Sequence, residues 1–142
     1  MMPLIVGHRA NTDDAKRGRY RPFTDSSSAV TLDKFAPGWR DYPCANLLWS
    51  RDDDADPEAR AKAIINRKED TLVLCGRDVA KAFKLSPAVK MFTYYEMRND
   101  KTVVVVPHPS PRNRLWNQKR IQRKMVALFK EMADAHTAAA AA

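Results

Sequence analysis

The stretch that decides the fold reads Thr102-Val103-Val104-Val105-Val106-Pro107-His108-Pro109-Ser110-Pro111-Arg112-Asn113-Arg114. Its four consecutive valines are apolar and β-branched, which predicts a strand buried on both faces in a parallel sheet. Pro107 has no N–H to donate to a neighbouring strand, so the strand should end there. A rigid, polar loop with three prolines follows. In open α/β sheets ligands bind at the carboxyl ends of the strands, so we expect a ligand site at this loop.

The rest of the chain predicts an α/β fold around this strand. Short apolar runs at 3–7, 42–49 and 71–76 predict strands, and segments with helical patterns separate and follow them. This order predicts a single three-layer α/β domain over residues 1–137, with a central, mostly parallel four-stranded sheet flanked by helices. Residues 91–97 are a candidate additional strand. Residues 138–142 are an alanine tail to which we assign no function.

Several local signals predict where helices and loops lie. Val30, Leu32 and Phe35 are spaced to line a short helix, and Asp56 followed by Pro57 is a typical helix start. Residues 8–28 are polar and rich in turn formers, which predicts a long loop beginning directly after Gly7. Near the end of the chain, one helix should bury Ile121, Met125, Leu128 and Met132 and expose Lys119, Arg120, Arg123 and Lys124.

Composition narrows the partners and the compartment. The 25 basic and 17 acidic residues give a net charge of +8, which favours a polyanionic partner such as nucleic acid. Residues 101–130 contain eight basic side chains and no acidic one, so the positive charge is concentrated beside the proline loop. The two cysteines are too few for a four-cysteine metal or iron–sulfur site, and their apolar neighbours predict reduced thiols. No apolar run approaches the ~20 residues of a membrane span, so we expect a cytoplasmic protein without membrane contact.

Four segments of the chain resemble the signature regions of the uracil-DNA glycosylase superfamily, and they follow one another in the same order as in that superfamily. The proline loop through Trp116-Asn117 is similar to its second signature loop, and Leu4-Ile5-Val6-Gly7 to its first signature strand. Cys44-Ala45-Asn46-Leu47-Leu48 resembles the strand that carries a base-reading asparagine, and residues 72–80 resemble the strand–glycine–helix unit between the two site loops. The resemblance implies a small, divergent member of the superfamily and is compatible with a phage-type one. It implies a metal-free and cofactor-free DNA repair glycosylase, which flips uracil or a modified pyrimidine out of DNA and hydrolyses its N-glycosidic bond.

The resemblance assigns His108 and Asn46 to the base. Breaking an N-glycosidic bond leaves negative charge on the departing base, and a histidine that donates a hydrogen bond to a base oxygen stabilises that charge. This is the role implied for His108. Asn46 carries a donor and an acceptor on one amide, which suits a pyrimidine edge. Gly7 and His8, at the end of the first strand, complete the expected base-binding residues.

A second group of residues is expected to bind the DNA backbone. Ser110 can hydrogen-bond a phosphate, and the prolines fix its loop beforehand. Arg112 stands where relatives have a residue that wedges into the duplex as the base leaves. The other expected DNA contacts are Arg9, Arg77, Asn113, Arg114, Lys119 and Arg120.

The chain departs from the superfamily pattern after the first strand. Relatives place a polar or acidic residue there, commonly beside proline, to position the attacking water. This sequence reads Gly7-His8-Arg9-Ala10-Asn11-Thr12-Asp13-Asp14 instead. Asn11, Asp13 or His8 are the candidates for that role, with Asn11 the weaker because an amide cannot take up a proton.

Other functions remain open at this point. Some phage relatives are proposed to act in thymine hypermodification, so a nucleotide-modifying enzyme is one alternative. A non-catalytic DNA-binding module with the same fold is another, and an α/β domain with no DNA role is a third. We expect a monomer in the cytoplasm of a bacterial or phage-infected cell.

Overall fold

The structure is a computed structural model that describes residues 2–9, 27–48 and 56–141. Within these ranges one sheet contains β1 (Leu4–Arg9), β2 (Cys44–Leu48), β3 (Thr71–Cys75), β4 (Tyr94–Met97) and β5 (Lys101–Val106). The strand order is β2-β1-β3-β5-β4. The first four strands in this order are parallel, and β4 pairs antiparallel with β5 at the edge. The α/β prediction with a mostly parallel sheet is therefore confirmed.

The predicted sheet of four strands was one strand short, because the candidate additional strand at residues 91–97 is present as β4 (Tyr94–Met97) and makes a fifth. β4 alternates exposed and half-buried residues along its length, so it lacks the continuous apolar run that marks the central strands. A three-residue turn, Arg98–Asp100, joins it to β5. Such a short connection can only join antiparallel neighbours, since a parallel pair needs a long crossover.

Four described helices cover the two faces of the sheet: α1 (Ser27–Phe35), α2 (Pro57–Ile65), α3 (Arg77–Ala82) and α4 (Lys119–Ala141). Val104 and Val106 pack in the core with α1 and α4, whereas Val103 and Val105 pack with α2 and α3. All four valines are 0% exposed. This alternation explains the unbroken valine run, because side chains on both faces of β5 contact a helix layer.

The helix signals in the sequence hold with one exception. Asp56 caps α2, and its side chain accepts a hydrogen bond from the backbone N–H of Glu58. The four apolar residues expected inside α4 are buried, and its four expected basic residues are exposed. Of the three residues predicted to line this helix, Val30 is 53% exposed, and α1 buries Ala29 and Leu32. The alanine tail continues α4 as far as Ala141.

Strand β1 extends further than expected. The prediction of a loop beginning at His8 was wrong at its start, because His8 and Arg9 belong to β1, and the rest of the predicted loop up to residue 26 lies outside the described residues. Gly7 pairs with Asn46 and Arg9 pairs with Leu48, so β2 holds the end of β1 in the sheet. No helix in the described parts of the chain combines the length and apolar character that a membrane crossing requires. Cys44 and Cys75 are free thiols, and burial raises the pKa of the Cys75 thiol.

Candidate functional site

The predicted base-binding and catalytic residues that the structure describes lie at the carboxyl edge of the parallel strands. β2 carries Asn46, β1 carries Gly7 and His8, and His108 follows β5. Because β1 and β3 lie between β2 and β5, the outer two strands are about 14 Å apart at ordinary strand spacing. A ligand that contacts both Asn46 and His108 therefore has to lie across the ends of β1 and β3.

The imidazole of His108 is held in one orientation by its own loop. Its Nδ1 accepts a 3.1 Å hydrogen bond from the backbone N–H of Ser110. The backbone carbonyl of His108 accepts hydrogen bonds from Asn113 Nδ2 at 3.1 Å and from Trp116 Nε1 at 2.8 Å. Because Nδ1 acts as an acceptor, the neutral ring carries its proton on Nε2. His108 therefore presents an N–H donor to whatever lies beyond the ring.

Gly76, between β3 and α3, forms the surface against which this histidine packs. Its N–H donates a 2.8 Å hydrogen bond to the carbonyl of Val106, which ties the end of β3 to the end of β5. A Cβ atom at Gly76 would lie 3.2 Å from Cβ and 3.5 Å from Cδ2 of His108. The ring is therefore confined by Ser110 at Nδ1 and by Gly76 near Cδ2. Neither of these contacts involves Nε2, which lies at the tip of the ring.

Electrostatics favour the neutral form of His108. Partial burial of the ring lowers the pKa of His108, and the nearby His8 lowers it further, while Asp78 opposes the shift. The net direction is downward from the ordinary value of 6.5. His8 and Asp78 therefore lie close enough to His108 to affect its pKa, and the downward shift favours the neutral ring, which is an uncharged donor.

Asn46 is buried without a hydrogen-bond partner. Its side chain is 5% exposed, and neither Oδ1 nor Nδ2 is bonded. Along β2, Cys44 packs toward α1 and α4 while Ala45 and Leu47 pack toward α2 and α3, so by alternation Asn46 faces α1 and α4. An unsatisfied buried polar group costs about 1–3 kcal/mol, so a native fold that retains one usually satisfies it with a bound water, ion or ligand.

A cavity of about 290 Å³ opens beside His8 on the other side of the sheet edge. Its walls come from the end of β1, the start of α2 and the first turns of α3. The lining residues are His8, Asp56, Pro57, Glu58, Asp78, Lys81 and Ala82. Sequence reasoning missed Asp78, because an acidic residue in the first turn of a helix is already explained by the helix dipole.

The loop after His108 and the start of α4 expose the predicted DNA-binding residues. Arg112, Arg114, Lys119 and Arg120 are exposed, and Ser110 is half-buried with its Oγ accepting from the N–H of Arg112 at 3.3 Å. Asn113 is occupied within the loop, because its Oδ1 also accepts from the N–H of Leu115.

The remaining predicted site residues fall into two groups. Nη1 of Arg77 donates a 2.6 Å hydrogen bond to the carbonyl of Val89, so part of its guanidinium is engaged within the fold. The side chain of Arg9 and the whole of Asn11 and Asp13 lie outside the described parts of the structure. The roles predicted for these residues stay predictions.

The N-terminus of α4 has an unfavourable distribution of charge. Its first turn contains Lys119 and Arg120 and no acidic residue. The partial positive charge at a helix N-terminus favours anions, so cations at this position cost about 0.3–1 kcal/mol each. A bound phosphate would reverse that cost, because it would interact favourably with both the side chains and the helix end.

The described residues contain no group of three or more His, Cys, Asp or Glu side chains arranged to hold a metal ion. No protein-family model and no curated protein matches this sequence. The function has to be inferred from the chain's own residues.

Proposed function

We propose that this protein is a DNA glycosylase-like enzyme, which binds a flipped-out pyrimidine and cleaves its N-glycosidic bond. The observation that carries the proposal is the orientation of His108. Its Nδ1 is occupied by the Ser110 N–H, so its Nε2–H is the group available to a ligand. We further propose that the fold is of the uracil-DNA glycosylase type.

A neutral histidine donor suits the chemistry of this bond cleavage. As the glycosidic bond breaks, negative charge develops on the base, and a fixed donor stabilises that charge without reorganising. The lowered pKa of His108 keeps the ring neutral at the pH where the reaction would run. Nε2 is also the ring nitrogen that neither Ser110 nor Gly76 restrains.

The unpartnered amide of Asn46 supports the choice of a pyrimidine. Uracil and thymine present adjacent acceptor and donor groups on one edge, which complement the two halves of an amide. Because Asn46 is only 5% exposed, a base that contacted it would be largely enclosed by protein. Binding would then provide the hydrogen bonds that the folded chain lacks at this position.

The basic surface supports a polynucleotide rather than a free base. Arg112 and Arg114 lie in the loop that carries His108, and Lys119 and Arg120 follow at the start of α4. Contacts between such side chains and phosphates supply most of the affinity in sequence-independent DNA binding. A base held near His108 would therefore have its flanking phosphates within this surface.

An excision assay tests the proposal directly. Single- and double-stranded oligonucleotides containing uracil, hydroxymethyluracil or a G·T mismatch are incubated with the protein and then cleaved at abasic sites with alkali. We expect strand cleavage with at least one of these bases. DNA binding with a steep salt dependence but no abasic sites would instead favour a non-catalytic binding module, and binding of free nucleotides but not DNA would favour a nucleotide-modifying enzyme.

Two substitutions of His108 test separately the hydrogen bond that Nδ1 accepts and the one that Nε2 would donate. His108→Gln keeps a donor near the position of Nε2, whereas His108→Asn keeps an acceptor near Nδ1 for the Ser110 N–H. We expect His108→Asn to fold normally and lose about 10²- to 10³-fold in excision rate, as for other single donors that stabilise developing charge. His108→Gln should retain more of the activity. Equal activity in the wild type and His108→Asn would rule out the proposed role.

A further inference from the structure

The edge strand β4 is bonded on one side, through alternate residues of its neighbour β5. The N–H of Thr102 donates to the carbonyl of Asp70 at 2.8 Å, on the β3 side. The carbonyl of Val105 accepts from the N–H of Phe92 at 2.8 Å, on the β4 side. Successive residues of a strand bond to opposite neighbours, so Val103, two residues before Val105, also bonds toward β4.

This alternation shows which backbone groups of β4 are free. Val103 pairs with Tyr95, so the N–H and C=O groups of Tyr95 are used inside the sheet. The corresponding groups of Tyr94 and Glu96 point away from β5, and no strand in the described ranges pairs with them. A row of unpaired N–H and C=O groups at a sheet edge can bind a further strand.

Space lies beside β4 on both faces of the sheet. On the face covered by α4, a cavity of about 300 Å³, here called the Tyr94 cavity, is lined by Tyr94, Glu131 and His136 among others. On the face covered by α2 and α3, a groove of about 620 Å³, here called the Met97 groove, has Ile65 and Met97 in its walls. Successive side chains of a strand added to β4 would point alternately toward these two spaces. Pockets for alternate side chains provide specificity when a strand is added to a sheet edge.

The Met97 groove suits an apolar side chain. Its walls include Ile65, Leu85 and Met97, which are half-buried and pack against the core beneath α2 and α3. The charged residues that line it carry no net charge among them, and they are Glu58, Lys62, Lys84 and Glu96. An apolar side chain that entered the groove would bury further apolar surface without leaving a charge unbalanced.

The Tyr94 cavity suits an arginine. Glu131 is the one residue with a full charge among the described residues that line it, and within the described structure no hydrogen bond or ion pair engages its carboxylate. His136, which also lines the cavity, has a buried Nδ1 without a hydrogen-bond partner. A guanidinium has five N–H donors for such acceptors, and it stacks on aromatic faces such as that of Tyr94, which is 40% exposed.

We propose that β4 binds an extended segment of a partner protein by antiparallel strand addition. An apolar side chain of the segment lies in the Met97 groove, and an arginine three residues later lies in the Tyr94 cavity. The separation follows from the register, because the residues opposite Met97 and Tyr94 are three apart and therefore point to opposite faces. Antiparallel pairing is the more stable direction per residue. This binding site goes beyond the proposed glycosylase function and does not rest on it.

Charge disfavours two other occupants of this edge. The carboxylate of Glu131 repels the phosphates of a nucleic acid. A second copy of the chain would pair β4 with β4 and bring Glu96 and Glu131 of the two copies together, and like charges that face each other across strands destabilise the pairing. A peptide segment that carries an arginine has neither disadvantage.

An NMR titration of the full chain with a peptide tests the site. The probe is a synthetic threonine-rich peptide that carries one leucine and, three residues later, one arginine. We expect it to shift the backbone amide signals of Tyr94 and Glu96 more than those of residues 108–114. A peptide of the same composition with the leucine and the arginine exchanged is the matched control, and it should bind about fivefold more weakly. Equal affinities, or no shift in β4 at millimolar peptide, would overturn the proposal.

N-methylation of the peptide tests the backbone pairing without changing the protein. In the antiparallel register the arginine lies opposite Tyr94, so its backbone N–H points to β4, whereas that of the leucine points away. Methylating the backbone nitrogen of the arginine should lower the affinity about tenfold, and methylating that of the leucine should change it less than about twofold. Equal effects, or the reverse order, would show that the peptide does not extend the sheet.

Glu96 provides a matched pair of variants. Glu96→Pro removes an N–H that the sheet does not use, and proline is tolerated on edge strands, so the variant should fold and bind the peptide about tenfold more weakly. Glu96→Gln keeps the N–H, and its affinity should stay within about twofold of the wild type. Wild-type affinity in Glu96→Pro would contradict strand addition. Circular dichroism checks both folds, and the methylated peptides decide the question if Glu96→Pro does not fold.

Glu131→Gln tests the contact with the arginine. This variant should bind the probe peptide about two- to fivefold more weakly, because it loses one partly exposed charge pair. Its affinity for a peptide with threonine in place of the arginine should equal that of the wild type. An equal loss for both peptides would remove the Tyr94 cavity from the site.

Sedimentation velocity and the excision assay separate the remaining outcomes. A wild-type dimer that Glu96→Pro dissociates would overturn the proposal in favour of a second copy of the chain. Excision and DNA affinity should be unchanged in Glu96→Gln and Glu131→Gln, because neither residue belongs to the base-binding or DNA-binding set. Loss of the peptide site therefore leaves the glycosylase function standing, and absence of excision leaves the peptide site standing.

Discussion

A Cβ atom placed on Gly76 would lie 3.2 Å from Cβ of His108. Gly76 also has a φ of +103°, a conformation that other residues rarely adopt. Gly76→Ala should therefore lower the free energy of unfolding by about 1–3 kcal/mol and displace the imidazole. We expect a loss of excision activity larger than the loss of folded protein explains, measured by urea denaturation and the excision assay.

Gly38→Ala is the control for this variant. Gly38 has a φ of +79°, but among the described residues no atom beyond its two chain neighbours lies within 4 Å of the position of an added Cβ. It should cost about 1–2 kcal/mol in backbone strain and leave excision unchanged. If both glycine variants lose activity in proportion to their stability, the contact with His108 has no functional role.

Asn46→Leu should separate stability from function. Removing a buried amide that has no partner removes its desolvation cost, so we expect a gain of about 1–3 kcal/mol in unfolding free energy. Affinity for DNA containing the target base should fall, because the base loses its two hydrogen bonds. Urea denaturation and fluorescence anisotropy measure the two effects. A variant that is more stable and binds equally well would argue against Asn46 as the base reader.

Tyr42→Phe provides a matched comparison for Asn46→Leu. The Tyr42 hydroxyl is also buried without a partner, but it lies before β2, toward the opposite end of the strand. We expect this variant to be at least as stable as the wild type, with unchanged DNA affinity and excision.

A double variant with Lys119→Glu and Arg120→Glu should be more stable than the wild type but bind DNA more weakly. Acidic residues in the first turn of α4 interact favourably with the helix dipole, so each change should stabilise the fold by about 0.3–1 kcal/mol. DNA affinity should fall, and the slope of log affinity against log salt should decrease by about 1.4–1.8 for two lost phosphate contacts. Thermal denaturation and salt titrations provide the measurements.

Lys130→Glu changes the same kind of charge within α4, away from its first turn. Lys130→Glu should have little effect on stability. Per charge changed, it should lower DNA affinity less than Lys119→Glu and Arg120→Glu do. An equal loss of affinity per charge would indicate a general effect of net charge rather than contacts at the start of α4.

Stability should depend on the protonation of His108. Its pKa in the folded state lies below its ordinary value of 6.5, so folding disfavours the protonated ring. The stabilising contribution is fully present above pH 6.5 and is lost as the pH falls through the folded-state pKa. Protonation at Nδ1 would also remove the acceptor for the Ser110 N–H.

Urea denaturation of the wild type and His108→Asn at pH 8 and pH 5 measures this contribution. The asparagine does not titrate, so the loss of stability on acidification should be smaller in the variant. The same loss in both proteins would mean that His108 does not couple folding to pH in this range.

The sequence determined the elements whose signals are local. Four adjacent β-branched residues in β5 have no other stable environment than a sheet covered on both faces, and Asp56 before Pro57 starts a helix through its own side chain. The basic residues at the start of α4 were also assigned to its exposed side, because the helical period separates them from the apolar residues.

The tertiary structure decided whether the candidate strand at residues 91–97 joins the sheet, and it alone decided which groups surround His108. β4 is a half-exposed edge strand whose pairing with β5 stabilises it, so its own sequence carries a weak signal. Gly76 and Asp78 approach His108 because β3 and β5 are neighbours in the sheet, although both precede His108 by at least thirty residues. The hydrogen bond that fixes the proton on Nε2 depends on the path of the proline loop. Local patterns specify helices and strands, whereas the site depends on which distant segments pair, and that is decided by packing of the whole core.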